Sequence, residues 1–219
     1  ATVEAAAGCY LRALREAHPA GPVHLLGHSF GGWVAFEMAL RLHRAGRPVA
    51  SLTLVDSEAP DGGHGREYDD GEALLQLVEA FEQVAERALE IGPRSIESLN
   101  AAGRLKLLHE RLAPLGLVPW RSEPEVLRGL LRTFAAGLRA SYTPAGTFPG
   151  PLRLVLVDDP RLDLEGNRRQ REEGVEAWKR WAPGLVHGHG PGSHFTVLKA
   201  PHVRGLAACL LDSVPTPGA

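Results

Sequence analysis

A serine between glycines stands early in the sequence, in the segment Gly27-His28-Ser29-Phe30-Gly31. This spacing is the G-x-S-x-G pattern of a nucleophilic serine, and it is informative only between a strand and a helix. Here an apolar run at residues 23–26 precedes the pattern, and a helical pattern begins directly after Ser29. So tight a turn holds the serine in a strained backbone conformation at the carboxyl edge of a sheet. We therefore predict that Ser29 is a catalytic nucleophile.

The neighbours of the serine have predicted roles of their own. Gly27 and Gly31 leave out side chains that would collide with the neighbouring strand and helix, and Gly32 extends that clearance. The backbone N–H of Phe30 opens the helix, where it points toward the oxyanion of a tetrahedral intermediate. The alternative is a glycine-rich turn that contains a serine by chance. The strand before it and the helix after it favour catalysis.

A serine nucleophile needs a general base, and ten histidines compete for that role. His194 lies in a loop between the last predicted strand and the last predicted helix, where hydrolase folds bring a base to the serine. His187 and His189 form a His-x-His pair, but no third ligand is nearby, so we expect no metal site. The sequence therefore predicts His194 as the base.

Two strand ends offer an acid to orient that base. Asp56 follows the apolar run at residues 52–55. Asp158 and Asp159 follow a second apolar run at residues 154–157. Either position agrees with the chain order of nucleophile, acid and base. Asp159 precedes a proline, which is ordinary turn chemistry at a strand end. Residue types alone do not choose between the two positions.

Alternating strand and helix patterns position these residues. The predicted helices are 2–18, 30–45, 167–181 and 201–212, and the predicted strands are 23–26, 49–55, 152–157 and 185–187. Apolar strands alternating with helices indicate a mainly parallel sheet with both faces covered and right-handed crossovers. The predicted fold class is therefore α/β, and residues 1–219 are predicted to form a single domain.

Residues 61–146 interrupt the alternation, because they contain no convincing strand. Helical patterns occur around residues 72–91, 95–113 and 124–141. A helical block of this length between two strands indicates an insertion that lies over the sheet. Its apolar residues are predicted to line a channel or to form the insertion's own core: Leu74, Leu75, Val78, Phe81, Leu130, Leu131 and Phe134.

Composition excludes several other classes of protein. Hydrophobic residues make up 44% of the chain, and a formal net charge of -2 provides no basic field for nucleic acid. No apolar run approaches a membrane span, and no signal-peptide pattern begins the chain. Cys9 and Cys209 are expected to be small buried hydrophobes in a reducing compartment. We therefore expect a soluble cytoplasmic protein with no nucleic-acid or membrane partner.

Three segments resemble the terminal thioesterase domains of nonribosomal peptide and polyketide synthases. They are GPVHLLGHSFGGWVAFEMALRL at residues 21–42, LTLVDSEAP at 52–60 and GPGSHFTVLKAPHV at 190–203. The resemblance implies an α/β-hydrolase fold in which the inserted helices form a lid. It also implies an acid after the strand that follows the nucleophile helix, which favours Asp56. His28, Glu58 and Phe195 are expected to contact the substrate.

The implied activity is release of an acyl or peptidyl chain from the phosphopantetheine thioester of a carrier protein. Water would release the acid, and an internal hydroxyl or amine would release a macrocycle. The thioester arrives on the carrier, so no resident cofactor is expected. Two alternatives share these residues: a stand-alone editing (type II) thioesterase, and a non-catalytic module that docks a carrier protein. A small-molecule esterase fits less well, because its acid would follow residues 154–157.

One departure from the family pattern concerns the N-terminus. In the family several strands precede the helix that here occupies residues 2–18, and one of their loops donates a second oxyanion-hole N–H. The resemblance therefore implies that this chain lacks those strands. Loss of one such donor lowers the rate by about 10²–10³-fold, so the chain alone is expected to have weakened activity.

Overall fold

The computed structural model describes residues 2–60 and 67–211 and divides the chain into two compact units. One unit comprises residues 1–64 and 141–219, and the other comprises residues 65–140. The elements in chain order are α1 (Val3–Ala17), β1 (Val23–His28), α2 (Phe30–Arg44), β2 (Val49–Val55), α3 (Asp70–Ala85), α4 (Pro93–Ile96), α5 (Ala101–Leu112), α6 (Val126–Leu138), β3 (Leu152–Leu156), α7 (Leu164–Lys179), β4 (Val186–His189) and α8 (His202–Leu211).

The first unit contains a four-stranded sheet in the order β1-β2-β3-β4, and every neighbouring pair is parallel. Val55 is paired with His28 on one side and with Val155 on the other, so the carboxyl ends of β1, β2 and β3 meet at one edge. Parallel strands joined through helices put their following loops at the same edge. The predicted α/β class with a parallel sheet is confirmed.

The core of this unit lies between the sheet and its helices. Helix α2 packs against α1, β1 and β2. The largest fully buried side chains include Phe36, Trp178 and Leu154. Glu37 is also buried, and it accepts hydrogen bonds from the hydroxyl of Tyr142 and from Arg41 Nε, each at 2.7 Å. Burial and the neighbouring Glu37 raise the pKa of Tyr142, which therefore stays a protonated donor.

The second unit is helical, and the described residues 67–140 contain no strand. Asp69 begins α3 with a capping box, because its carboxylate accepts the N–H of Glu72 while the Glu72 side chain accepts the N–H of Asp69. For most of the apolar side chains that the sequence assigned either to a channel or to the insertion's own core, the structure shows the core. Leu74 and Val78 are buried there, Leu75, Phe81, Leu131 and Phe134 pack against them, and Leu130 is exposed. A lid role for the unit stays a prediction.

Some sequence-based boundaries were wrong. The helix predicted over residues 72–91 ends at Ala85, because Glu86 adopts the left-handed conformation with φ 51°. The helix predicted over 95–113 is two helices, α4 and α5, and Asn100 caps the second through its side chain. Residues 61–66, where the predicted insertion begins, lie outside the described residues.

Cys9 is exposed and Cys209 is partly exposed, so the prediction of two buried cysteines was wrong. Cys9 lies on α1, whose buried face is formed by Val3, Ala7 and Leu11. Position 9 is not one of the positions that repeat on that face. Among the described helices, none is long and apolar enough to cross a membrane.

Candidate active site

Ser29 forms the sharp turn between β1 and α2. Its backbone has φ 55° and ψ -129°, a conformation that costs a non-glycine residue free energy and that is typical of the strained turns that carry nucleophiles. The turn is fixed on both sides, because the Ser29 amide donates to the Val55 carbonyl at 3.0 Å and its carbonyl accepts from Gly32 at 2.8 Å. The Ser29 side chain does not cap α2, so its hydroxyl is not used to satisfy the helix N-terminus.

Two glycines are required by the close packing of this turn. A Cβ at Gly27 would lie 2.1 Å from the carbonyl oxygen of Gly31, and a Cβ at Gly32 would lie 1.9 Å from Ser57 Oγ. A Cβ at Gly31 would meet no described atom within 4 Å. The prediction that Gly31 avoids a collision was therefore wrong: the clearance is needed at Gly27 and Gly32.

The predicted base and one predicted acid are in direct contact. His194 Nδ1 lies 2.7 Å from Asp56 Oδ2, and the other oxygen, Asp56 Oδ1, accepts the N–H of Val157 at 3.2 Å. An ionised carboxylate only accepts hydrogen bonds, so His194 carries its proton on Nδ1 and keeps Nε2 as the basic nitrogen. Asp56 has φ 45°, and its amide donates to the Val155 carbonyl at 2.7 Å. A contact of this kind can hold a histidine in the tautomer and orientation that a general base requires.

The two other candidate acids have different partners. Asp158 pairs with Arg171 and lies 3.2 Å from His189 Nε2. Asp159 accepts from Arg161 through both carboxylate oxygens, at distances of 2.7 to 3.1 Å. The Arg161 guanidinium, through these hydrogen bonds, lowers the pKa of Asp159. The sheet edge thus carries two acidic turns, and the one after β2 reaches His194.

His28 and Phe195, both predicted to contact substrate, contact the predicted base, His194. His28 Nε2 lies 2.9 Å from the His194 carbonyl oxygen, and the two imidazole rings are 4.8 Å apart. The Phe195 ring stands edge-on to the His194 ring at 4.9 Å. Glu58 is exposed, and its carbonyl accepts an indole N–H from Trp33. Substrate contact by these three residues stays a prediction.

Ser57 links the turn at Ser29 to the turn at Asp56, a contact that the sequence did not indicate. It directly follows Asp56 and is only 1% exposed. Its hydroxyl donates to the Ser29 carbonyl at 2.8 Å, which explains why Gly32 must lack a side chain beside it. The strained backbones of Ser29 and Asp56 are therefore held by a shared side chain.

Three tryptophans hold the segment that follows Asp56. Trp33 donates its indole N–H to the carbonyl of residue 58 at 2.7 Å, Trp178 to that of residue 57 at 2.7 Å, and Trp181 to that of residue 60 at 3.1 Å. A buried indole N–H requires an acceptor, so these pairings fix the segment as well as satisfying the rings. A tryptophan's need for an acceptor is visible in a sequence, but the identity of that acceptor is not.

Among residues 2–60 and 67–211, no group of three or more histidine, cysteine, aspartate or glutamate side chains is arranged to hold a metal ion.

A family model described as a thioesterase domain matches residues 1–212. The chain belongs to the thioesterase domain family. This thioesterase domain is 29% identical over 203 residues to chondramide synthase cmdD of Chondromyces crocatus, covering 89% of this chain and 5% of that relative. It is 26% identical over 212 residues to vanchrobactin synthetase VabF of Vibrio anguillarum, covering 95% of this chain and 6% of that relative. The thioesterase domain thus spans about a twentieth of the length of these relatives.

Solved structures share the fold of this thioesterase domain. A four-domain nonribosomal peptide synthetase, AB3403, is 22% identical with a TM-score of 0.83, over 99% of this chain and 16% of that chain. The NocB thioesterase domain, in a covalent complex with a fluorophosphonate nocardicin G analogue, is 24% identical with a TM-score of 0.59, over 99% of this chain and 76% of that chain. The resemblance to synthase thioesterase domains and the α/β-hydrolase fold, both predicted from the sequence, are confirmed.

Proposed function

We propose that this thioesterase domain releases an acyl or peptidyl chain from the phosphopantetheine thioester of a carrier protein, through an acyl-enzyme on Ser29. The observation that carries the proposal is the 2.7 Å contact between His194 Nδ1 and Asp56. This contact lies at the same edge of the sheet as Ser29. The Ser29 amide donates a hydrogen bond to the carbonyl of Val55, the residue before Asp56. Nucleophile, acid and base follow in the chain order of α/β-hydrolases.

The first half-reaction transfers the acyl group to the protein. His194 Nε2 takes the proton of the Ser29 hydroxyl, and the oxygen attacks the thioester carbonyl carbon. The backbone N–H of Phe30, at the start of α2, donates to the oxyanion. When the tetrahedral intermediate collapses, the carbon–sulfur bond breaks. The phosphopantetheine thiol leaves with the proton that His194 had taken.

The second half-reaction frees Ser29. His194 removes a proton from water, or from a hydroxyl or amine of the bound chain, and that atom attacks the ester carbonyl. Collapse breaks the bond to Ser29 and returns the proton to its oxygen. Water yields the free acid, and an internal nucleophile yields a macrocycle. Asp56 stabilises the His194 imidazolium in both halves without itself becoming protonated.

We also propose which residues contact the substrate and which protein delivers it. Phe195 and Glu58 contact the acyl chain near the base and the acid. The substrate arrives covalently attached to a peptidyl or acyl carrier protein. No resident cofactor takes part in the proposed steps.

Intact-protein mass spectrometry tests the acyl-enzyme. The protein is mixed with a carrier protein loaded with a peptidyl thioester, and the mass of each protein is followed with time. We expect an adduct on the wild type that converts to acid or macrocycle. Ser29→Ala should fold, as judged by circular dichroism, and form no adduct. An adduct on both proteins would show that a residue other than Ser29 is the nucleophile.

A fluorophosphonate provides a second test that needs no carrier, because the NocB thioesterase domain forms a covalent complex with such a compound. We expect one label on the wild type and none on Ser29→Ala. Folded wild-type protein that binds the carrier but forms neither adduct nor label would contradict catalysis and favour a docking module.

A further inference from the structure

His28 is a half-buried histidine that the proposed steps do not use. It is the last residue of β1 and directly precedes Ser29. Its Nε2 lies 2.9 Å from the backbone carbonyl oxygen of His194. A carbonyl oxygen only accepts, so His28 donates through Nε2, and in the neutral ring Nδ1 is then the unprotonated nitrogen. This is the opposite tautomer from that of His194, which carries its proton on Nδ1.

The proposed base is therefore held at two points that fix different parts of it. Asp56 fixes the ring through Nδ1, and His28 fixes the backbone of the loop through the carbonyl. The two anchors come from adjacent strands, because His28 is paired with Val55, the residue before Asp56. His28 is covalently joined to Ser29, so its hydrogen bond ties the loop of the base directly to the nucleophile turn.

The electrostatic surroundings favour a neutral His28. Burial, and then the charge of nearby His194, lowers the pKa of His28 below its usual value of about 6.5. The hydrogen bond to the His194 carbonyl and then the Asp56 carboxylate act in the opposite direction, but less strongly. A neutral imidazole 4.8 Å from His194 adds no repulsion when His194 becomes an imidazolium. His28 can thus donate a hydrogen bond without competing for the proton that the reaction moves.

We propose that His28 is a positioning residue, which holds the His194 loop against the nucleophile turn by donating Nε2–H to the His194 carbonyl. This inference rests on the proposed function, since it assigns His28 a task toward the proposed base. It differs from a substrate contact in what it predicts. A positioning residue changes kcat, whereas a residue that contacts the bound chain equally in ground state and transition state changes KM.

Substitution by glutamine and by leucine separates the hydrogen bond from the packing. The amide nitrogen of glutamine reaches about as far as Nε2 and donates, whereas leucine has similar bulk and no donor. We expect His28→Leu to lower kcat for release of the carrier thiol at least about tenfold with KM unchanged, because displaced catalytic groups cost up to about 10²-fold. His28→Gln should recover most of that loss. The matched control is His24→Leu, because His24 is an exposed histidine on the same strand. The kcat of this variant should equal that of the wild type.

The outcomes distinguish the two proposals. Wild-type protein that neither turns over nor labels with fluorophosphonate contradicts the proposed function. An active wild type whose folded His28→Leu variant keeps full kcat, or changes only KM, overturns the positioning role. If the leucine variant does not fold, long-range ¹⁵N–¹H spectra of the wild type decide. We expect His28 protonated on Nε2 and His194 on Nδ1, and a His28 protonated on Nδ1 would overturn the inference.

Discussion

Two acidic turns lie at the same edge of the sheet, one after β2 and one after β3, and they differ in what their carboxylates contact. After β2, Asp56 accepts hydrogen bonds from His194 Nδ1 and from the backbone N–H of Val157. After β3, Asp158 and Asp159 are occupied by charged side chains, chiefly Arg171 and Arg161. Either strand end suits an acid by chain order. The difference therefore lies in the partners of each carboxylate and not in its place in the sequence.

The two turns also differ in what holds them. The turn after β2 is bonded to distant parts of the unit: Ser57 donates to Ser29, and three indoles donate to the carbonyls of residues 57–60. The turn after β3 is held largely from within, because Asn167 bonds to both the N–H and the carbonyl of Asp159. A turn held by distant elements is suited to keeping a side chain aligned with groups from other loops. A locally closed turn stabilises its own helix start.

The largest expected effect separates the two turns by activity. Asp56→Asn should lower kcat for thioester cleavage by about 10⁴-fold, because asparagine favours the wrong tautomer of the base. Asp158→Asn and Asp159→Asn should remain within a few-fold of the wild type. Release of the carrier thiol measures all three. Full turnover of Asp56→Asn together with loss in Asp159→Asn would reverse the comparison.

A second test breaks the link between the nucleophile turn and the acid turn. Gly32→Ala places a Cβ where Ser57 Oγ now lies, so we expect the free energy of unfolding to fall by about 1–3 kcal/mol. Activity should fall as well, because Ser57 can no longer reach the Ser29 carbonyl. Chemical denaturation and kcat measure the two effects.

The double variant Gly32→Ala/Ser57→Gly tests whether that loss comes from the collision. It removes the atoms that the new Cβ would meet, so it should be more stable than the sum of the two single losses indicates. Purely additive losses of stability would show that Gly32 and Ser57 do not interact. Gly31→Ala is the matched control, because a Cβ at that position meets open space.

The sequence predicted the parallel sheet and the serine turn because both depend on patterns local in the chain. Ser29 stands between a strand pattern and a helix pattern, and the structure has β1 and α2 there. The choice among Asp56, Asp158 and Asp159 did not follow from residue types, and only the family resemblance favoured Asp56. That choice depends on which loop His194 enters, and this is a tertiary property.

The same reason explains the residues that the sequence misjudged or missed. Whether Gly31 or Gly32 needs to lack a side chain depends on Ser57, which is 25 or more residues away in the chain. Trp178 and Trp181 are each separated by 121 residues in the sequence from the residue whose carbonyl accepts their indole N–H. Contacts of that separation leave no periodicity in the sequence.

A third test, smaller in its consequences, concerns the turn after β3. Asn167 is buried, accepts the N–H of Asp159 and donates to the carbonyls of residues 159, 162 and 163. Asn167→Ala should lower the free energy of unfolding by about 1–2 kcal/mol, because buried backbone groups lose their partner. The kcat of the folded protein should be unchanged. A loss of kcat comparable to that of Asp56→Asn would show that the second turn also serves the site.

The smallest expected effect is the pH dependence that Asp159 contributes to stability. Arg161 lowers the pKa of Asp159 from its usual 3.8, so the folded protein holds this proton less tightly than the unfolded chain. The resulting stabilisation is present above pH 3.8 and is lost as the pH falls through the lowered pKa of the folded state. Asp159→Asn keeps an acceptor for the Arg161 N–H but removes the charge. Its free energy of unfolding should therefore fall less steeply than that of the wild type between about pH 5 and pH 2. Urea denaturation at several pH values measures this. If the free energy of unfolding falls equally steeply with pH in both proteins, the ion pair between Asp159 and Arg161 does not stabilise the fold.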